Sequence, residues 1–446
     1  MSRVLLVSTN LCTIPYAVFP LGMATVAGAL DRAGHEVRQF DLLAVDGDVA
    51  QYIAVLLAWS PDVVCMSVRN LDSTDSLDEA GDTLVDSARS VVAATRAAGA
   101  WPVVIGGPAV SILPEEVLAY TAADHAVVGE GERALCRLLD ELAAGRQPEP
   151  ILRPRGLLDA DEIAPPLYDL ELARYYVERS GLLNVQTKRG CPFHCIYCTY
   201  PHLEGRHYRN IDPTQVVDHI EQLQRDAGAQ EFFFTDSVVN DPGRHYLGVA
   251  EELLRRAVKV RWAAFFTPCE LSREDLAVCK RSGLYAAELG TDAASDTTLA
   301  GMHKPFSFAQ VRAANEACAA ERIPVSHFVI FGGPGETQET VLEGIANLDA
   351  FDHCVVLATS GVRILPGSPL RQQAIEEGVI TIDTPLLNPV TYFSPAVDTE
   401  WMNRHLAATW APRSDRIFPP SRDNHRLQLL QSMGMRGVIW DKLISY

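Results

Sequence analysis

The stretch Lys188-Arg189-Gly190-Cys191-Pro192-Phe193-His194-Cys195-Ile196-Tyr197-Cys198 sets three cysteines at C-x3-C-x2-C spacing within a chain of 446 residues. Three soft thiolates so spaced suit a four-iron, four-sulfur cluster with one iron left uncapped, whereas a cluster kept for electron storage presents four cysteines. The spacing therefore predicts a cluster that binds a small molecule at its open iron. A zinc knuckle or a redox dithiol would use a C-x-x-C pair too. Zinc, however, wants a fourth Cys or His at matching spacing, and the neighbours of His194 are apolar and aromatic rather than a second C-x-x-C. His194 reads as a loop or packing residue.

Residues 181–200 resemble the radical S-adenosylmethionine superfamily, down to the aromatic Tyr197 ahead of the third cysteine. The resemblance implies a [4Fe-4S] cluster on Cys191, Cys195 and Cys198. Its free iron would bind the amino and carboxylate groups of S-adenosylmethionine and pass one electron to the sulfonium, which in most members yields a 5'-deoxyadenosyl radical. Such a cluster implies a one-electron reductant of the flavodoxin or ferredoxin type and an oxygen-poor, reducing compartment.

These residues need elements to hold them. From 181 to about 377, strands are expected at Leu183–Thr187, Glu231–Thr235, Val260–Phe266, Ala286–Gly290, Pro324–Phe331 and Val355–Ile364. Helices are expected near 213–227, 243–257, 272–282, 307–320, 337–350 and 369–377. Six such units make the partial (β/α)6 barrel of this superfamily, with functional residues at the carboxyl ends of the strands. There the resemblance places S-adenosylmethionine contacts at Tyr197, Asp236, Glu288, Asp292, Gly332, Gly333 and Arg363. Asp236 follows Phe234-Thr235 where many members carry Gly-Gly-Glu, a departure that puts its contact in doubt. Asp236 and Asp292 read equally as helix caps, and Glu336 as a residue favoured at a helix start. Glu270, after the third of these strands, is a candidate to compete for the open iron. Cys12 and Cys269 lie at strand ends facing the same cleft, and the remaining cysteines read as small core residues.

The first 145 residues alternate apolar runs, Val4–Ser8, Val37–Leu42, Val63–Val68, Val103–Ile105 and His125–Val128, with helices near 20–34, 50–58, 80–98, 113–121 and 131–144. That is the pattern of a doubly wound parallel sheet, a Rossmann-like α/β fold with its ligand beyond the carboxyl ends. No G-x-G-x-x-G follows the first strand, so a nicotinamide cofactor is not indicated. Leu21-Gly22-Met23, Ser67-Val68-Arg69-Asn70, Val104-Ile105-Gly106-Gly107-Pro108 and Val128-Gly129-Glu130-Gly131-Glu132 are together similar to the cobalamin-binding domain that precedes some radical S-adenosylmethionine domains. The resemblance implies cobalamin contacts at Tyr16, Ser67, Arg69, Asn70, Gly106, Gly107, Gly129 and Gly131. The D-x-H-x-x-G signature that carries a cobalt-ligating histidine is missing and the loop 9–20 has no histidine. Arg69 is the candidate to lie below the corrin without ligating it, and it reads equally as a surface or phosphate-tail arginine.

Between the two units, residues 146–180 read as a stiff proline-rich linker, and residues 378–446 as a small cap that closes the barrel and selects substrate, with Tyr392 and Trp401 as candidates. The formal charge of -19 argues against a nucleic-acid partner. No apolar run reaches membrane-spanning length, and 10 cysteines in 446 residues are too sparse for a disulfide scaffold. The expectation is a cytoplasmic enzyme. What the resemblance implies is a cobalamin-dependent radical S-adenosylmethionine methyltransferase, moving methyl from methylcobalamin to an unactivated carbon or a phosphorus of a small natural-product-like molecule. Radical ring formation or contraction, non-radical methylation of an aromatic carbon, transfer-RNA methylthiolation and cobalamin binding without catalysis are the alternatives.

Overall fold

The computed structural model describes residues 1–78 and 84–444. The first strands are β1 (Arg3–Ser8), β2 (Glu36–Asp41), β3 (Val63–Ser67), β4 (Val103–Gly106), β5 (His125–Val127) and β6 (Ile151–Leu152). They form one parallel sheet in the order β2-β1-β3-β4-β5-β6. Val4 to Val7 and Val63 to Met66 are buried without alternation, as helices on both faces of a parallel sheet require. β2 alternates exposed Glu36 and Arg38 with half-buried Val37 and Gln39, which suits an edge. The helix expected at 80–98 is seen as Asp86–Ala98, and part of that expectation lies outside the described residues.

The segment 146–180 is more than a linker. β6 pairs with β5, the Leu167 N–H donates to Ala24 O at 2.8 Å, and the helix Leu170–Ser180 is capped by Asp169. Tyr176 on that helix donates its hydroxyl to Asp41 Oδ2 at 2.6 Å, a carboxylate buried at the end of β2. A two-residue strand carries no period to read, so prolines dominated the expectation.

The second unit contains β7 (Leu182–Val185), the short antiparallel pair β8 (Lys188–Arg189) and β9 (Arg209–Asn210), then β10 (Glu231–Phe234), β11 (Arg261–Phe266), β12 (Leu284–Asp292), β13 (Val325–Phe331) and β14 (Cys354–Ser360). β15 (Val362–Arg363) pairs with β16 (Thr391–Tyr392), and β17 (Arg416–Ile417) comes last. Seven strands make the barrel sheet, β17-β14-β13-β12-β11-β10-β7, rather than the six expected. The seventh is supplied by the tail, where Arg416 is buried and donates to Leu348 O and Phe351 O at 2.8 and 2.7 Å. Alternation along β11 separates the two faces. Trp262 stacks on Phe234 at 4.8 Å on one face, while Phe265, 37% exposed, meets Phe233 and Phe328 at 5.0 and 6.3 Å on the other.

That second face is closed from one end by residues of the tail. Val438, Ile439, Trp440 and Leu443 share an apolar cluster with Leu182 of β7, Ile417 of β17, Phe233, Ala263 and Tyr16. The tail and the 9–20 loop thus fill the gap between the sheet's two edge strands. Trp440 donates its indole N–H to Glu288 Oε1 at 2.9 Å. Tyr392 and Trp401 lie elsewhere: Tyr392 is buried and donates to Glu377 at 2.7 Å, and Trp401 stacks on His405 at 5.1 Å.

The two units meet across buried charge. Arg189 of β8 pairs with Glu130 at 2.9 Å and Glu132 at 2.7 Å, and Arg209 of β9 pairs with Glu130 at 2.8 Å. These four side chains are at most 11% exposed. Farther along, Arg363 donates to Asp72 at 2.8 Å, Leu387 N donates to Glu116 at 2.8 Å and Ser76 donates to Ser360 O at 2.5 Å. Removing one member of a buried ion network strands the others, at a cost of about 3–5 kcal/mol. Arg189→Ala should therefore lower the urea midpoint of the protein markedly, while Arg153→Ala, whose partner Glu115 is exposed, should leave it nearly unmoved; equal midpoints would contradict the seam's role.

Burial pushes the Glu288 carboxyl up from 4.5 to about 7, with the Trp440 hydrogen bond opposing. The folded state then holds its proton longer than the unfolded one, so this group's contribution is fully present below about pH 4.5 and is lost as pH rises to about 7. Glu288→Gln should match the native protein's stability at pH 4.5 and exceed it by roughly 3 kcal/mol at pH 8, measured by urea unfolding at the two pH values.

Candidate active site at the domain seam

The cysteine loop leaves β8 at Gly190, whose φ is +94° and whose Cβ, were there one, would lie 2.1 Å from His207 O. Only glycine passes there. The loop is then fixed by backbone: Cys191 N donates to Gly205 O at 3.0 Å, Ile196 N to Met302 O at 3.1 Å and Cys198 N to Cys195 O at 3.1 Å. Gly190 N donates to the half-buried Glu204 carboxylate at 3.1 Å, and Ser237 donates its hydroxyl to Gly190 O at 3.0 Å. Its three thiols are free. Burial pushes the Cys198 thiol up to about 12 and the Cys191 thiol upward as well, so loading a metal group there must release protons. Among the described residues no three Cys, His, Asp or Glu converge on a single-ion site. Three thiols held on one rigid loop without that convergence fit a wider group, as an iron-sulfur cluster is.

Next to this loop stands a residue that sequence reading missed. Lys304 contacts Asp292 and donates to Cys195 Sγ at 3.3 Å, while Tyr197 donates its hydroxyl to the same Asp292 oxygen at 2.6 Å. Burial alone would lower the Lys304 pKa, but the Asp292 and Cys195 charges hold it raised. Nothing in the local sequence His303-Lys304-Pro305 marks it, because its partners lie 12 and 109 positions away.

The other expected S-adenosylmethionine contacts divide. Gly332 and Gly333 sit at the end of β13 against Phe393, Met402 and Met302, with Glu336 Oε2 accepting from Gly332 N at 3.1 Å. Asp236 is committed to the chain, accepting from Thr187 N at 2.7 Å, Thr187 Oγ1 at 2.5 Å and Lys188 N at 3.2 Å, which makes it a brace for β7 rather than a free contact. Glu288 lies within the barrel on Trp440, away from the strand ends. Arg363 spends its guanidinium on Asp72, Ile364 O and Leu386 O, so it clamps the two units together. Glu270 is exposed with φ +51°, and Cys269 is half-buried beside it.

On the other side of the seam, β1, β3, β4 and β5 direct their carboxyl ends at the barrel. Arg69 follows β3, and its Nη1 is buried with no hydrogen-bond partner. The Tyr16 and Tyr176 phenols are pushed up chiefly by burial, with the Arg69 guanidinium among the groups opposing that shift. The helix Pro108–Ile112, following Gly106 and Gly107, packs on Tyr200–Leu203, which follows Cys198. Gly107 has φ +101° and would place a Cβ 2.6 Å from Val68 O, so it allows the ends of β3 and β4 to close together. Ser67 accepts at its carbonyl from the Thr9 hydroxyl at 3.1 Å, and Asn70 is half-buried beside Arg69. A half-buried arginine with one buried guanidinium nitrogen left unpaired, in a crevice between strand ends, fits a large polar group such as a corrin. Three of the expected contacts also have partners within the chain. Tyr16 is drawn into the barrel, 6.4 Å from Phe233. Gly129 and Gly131 flank Glu130, whose turn serves the ion network.

Comparison with known proteins agrees with this division. Residues 7–139 match the B12 binding domain family and residues 185–346 the Radical SAM superfamily. The chain belongs to the cobalamin-binding radical S-adenosylmethionine enzymes. Tryptophan 2-C-methyltransferase of Streptomyces laurentii is 25% identical, over 85% of this chain and 76% of that enzyme. Cytidylyl-2-hydroxyethylphosphonate methyltransferase of Streptomyces wedmorensis is 23% identical, over 92% and 88%. The radical S-adenosylmethionine methyltransferase TsrM from Kitasatospora setae, solved with cobalamin and a [4Fe-4S] cluster, shares the fold with a TM-score of 0.84 at 24% identity, over 99% of this chain and 97% of that one.

Two variants separate the halves of the site. Cys195→Ala should abolish iron uptake and leave cobalamin binding, whereas Arg69→Ala should keep iron and change the affinity or visible spectrum of bound cobalamin. Metal analysis and spectrophotometric titration read both, and a Cys195→Ala protein with native iron content would contradict the cysteine assignment.

Proposed function

We propose that the protein is a cobalamin-dependent radical S-adenosylmethionine methyltransferase acting on an unactivated carbon, or a phosphorus, of a small natural-product-like molecule. The observation that carries this reading is the convergence at one seam of the three-thiol loop, Arg69 with its unpaired buried Nη1, and the open aromatic face of the barrel. When bound, the cluster with S-adenosylmethionine would supply one-electron chemistry, and cobalamin would supply a methyl carrier.

The chain's own residues bind and orient. Cys191, Cys195 and Cys198 would hold the cluster, with Tyr197, Asp292, Gly332 and Gly333 on the S-adenosylmethionine side. Ser67, Arg69, Asn70, Gly106 and Gly107 would line the corrin side, and no histidine stands in the loop 9–20 to ligate cobalt. Phe265 and Phe328 offer an apolar wall to the substrate body, while the Trp440 plug excludes water from below. The free thiols call for a reducing cytoplasm and a flavodoxin- or ferredoxin-type electron donor, and the acidic charge favours no nucleic acid. Among the described residues no helix is long and apolar enough to cross a membrane.

Protein reconstituted without oxygen with iron, sulfide and hydroxocobalamin, then given methyl-labelled S-adenosylmethionine and titanium(III) citrate, should pass label to the corrin fraction. Label that stays wholly with S-adenosylmethionine at full iron and cobalt content would contradict the proposal.

A further inference from the structure

We propose that Lys304 is a charge-tuning positioning residue: its ammonium, anchored on Asp292, donates to Cys195 Sγ and makes the cluster held by that cysteine easier to reduce. This rests on the assignment of Cys191, Cys195 and Cys198 as cluster ligands. The Lys304 side chain is 8% exposed and that of Asp292 11%. A buried ion pair gives little net stability, because desolvation offsets its attraction. The pair therefore calls for another role, and among the described residues the other acceptor that the Lys304 ammonium reaches is a cysteine sulfur, at 3.3 Å.

The geometry fixes this contact from both sides. The Lys304 N–H donates to Leu299 O at 2.9 Å, which locks its backbone to the end of the helix Asp296–Gly301. Tyr197, from the cysteine loop itself, holds the far partner Asp292 at 2.6 Å. The Nζ atom also sits 5.8 Å from the Tyr197 ring and 5.5 Å from the Phe306 ring, and aromatic faces favour a cation there.

Reduction adds one negative charge to a cluster, taken from an external one-electron donor of the flavodoxin or ferredoxin class. A positive charge and a hydrogen bond at a ligand sulfur stabilise the added charge, and hydrogen bonds to sulfur are among the determinants of cluster potential. Without Lys304, the Asp292 carboxylate would face the same sulfur with no cation between them. The sign is thus set: losing Lys304 makes reduction harder, and neutralising Asp292 makes it easier.

The test is a potentiometric titration followed by electron paramagnetic resonance, without S-adenosylmethionine, on reconstituted native protein, Lys304→Met, Lys304→Arg and Asp292→Asn, each with iron and sulfide measured. Lys304→Met should hold native iron and show at least a tenfold loss of reduced cluster at fixed potential, about 59 mV for one electron. Lys304→Arg should stay near the native value, and Asp292→Asn should move the opposite way. A Lys304→Met cluster with unmoved potential at equal iron content would overturn the proposal. If Lys304→Met takes up no iron, Asp292→Asn decides, and a potential that is unmoved or more negative overturns it. Native protein that takes up no iron would defeat the cysteine assignment and this proposal with it, a failure distinct from a loaded cluster whose potential does not respond.

Discussion

A buried ion network between two arginines and two glutamates is the constraint on which the site depends. Arg189 lies two residues before Cys191, Glu130 precedes the helix Gly131–Ala143 that follows β5, and Glu132 lies in that helix's first turn. Whatever the thiol loop holds is therefore kept at a fixed distance from whatever occupies the carboxyl ends of the first sheet. Charges buried this deeply are stable only when paired, so the two units cannot slide without stranding them. Two cofactors that must address one substrate need that rigidity, and a proline-rich tether alone would not provide it.

The same economy of parts runs through the barrel. β17 adds one strand, the following helix and Trp440 fill the open side, and Tyr16 reaches in from the first unit to join them. The first unit is thus built into the wall of the second. Glu288, carried by β12 and held by Trp440, brings a buried carboxylate to the barrel's inner face. The result is a barrel face plugged by the tail at one end, with Phe265 left partly exposed on it.

How much of this was legible depended on the range of each interaction. The cysteine spacing, the parallel-sheet rhythm and the glycine turns are local, and most expected strands fall within a residue or two of those observed. Partnerships across the chain were not legible. Glu130 and Glu132 looked like part of a ligand turn because Arg189 is more than fifty positions away. Lys304 carried no local signal at all. Arg363 and Asp236 stand at strand ends, where ligand contacts are expected, yet both are committed to partners within the chain. Residues 146–180 were misjudged because prolines suggested a tether while the two-residue β6 and the helix Leu170–Ser180 decide how the segment docks.

The central claim is that one seam holds two metal cofactors, and it is tested most directly by their stoichiometry. The protein should be purified without oxygen from cells supplied with cobalamin, and iron, sulfide and cobalt quantified alongside the visible spectrum of the corrin. The account predicts about four iron atoms and one cobalt per chain, with a spectrum that lacks a nitrogen axial ligand. Iron without cobalt, persisting after reconstitution with added cobalamin, would contradict it.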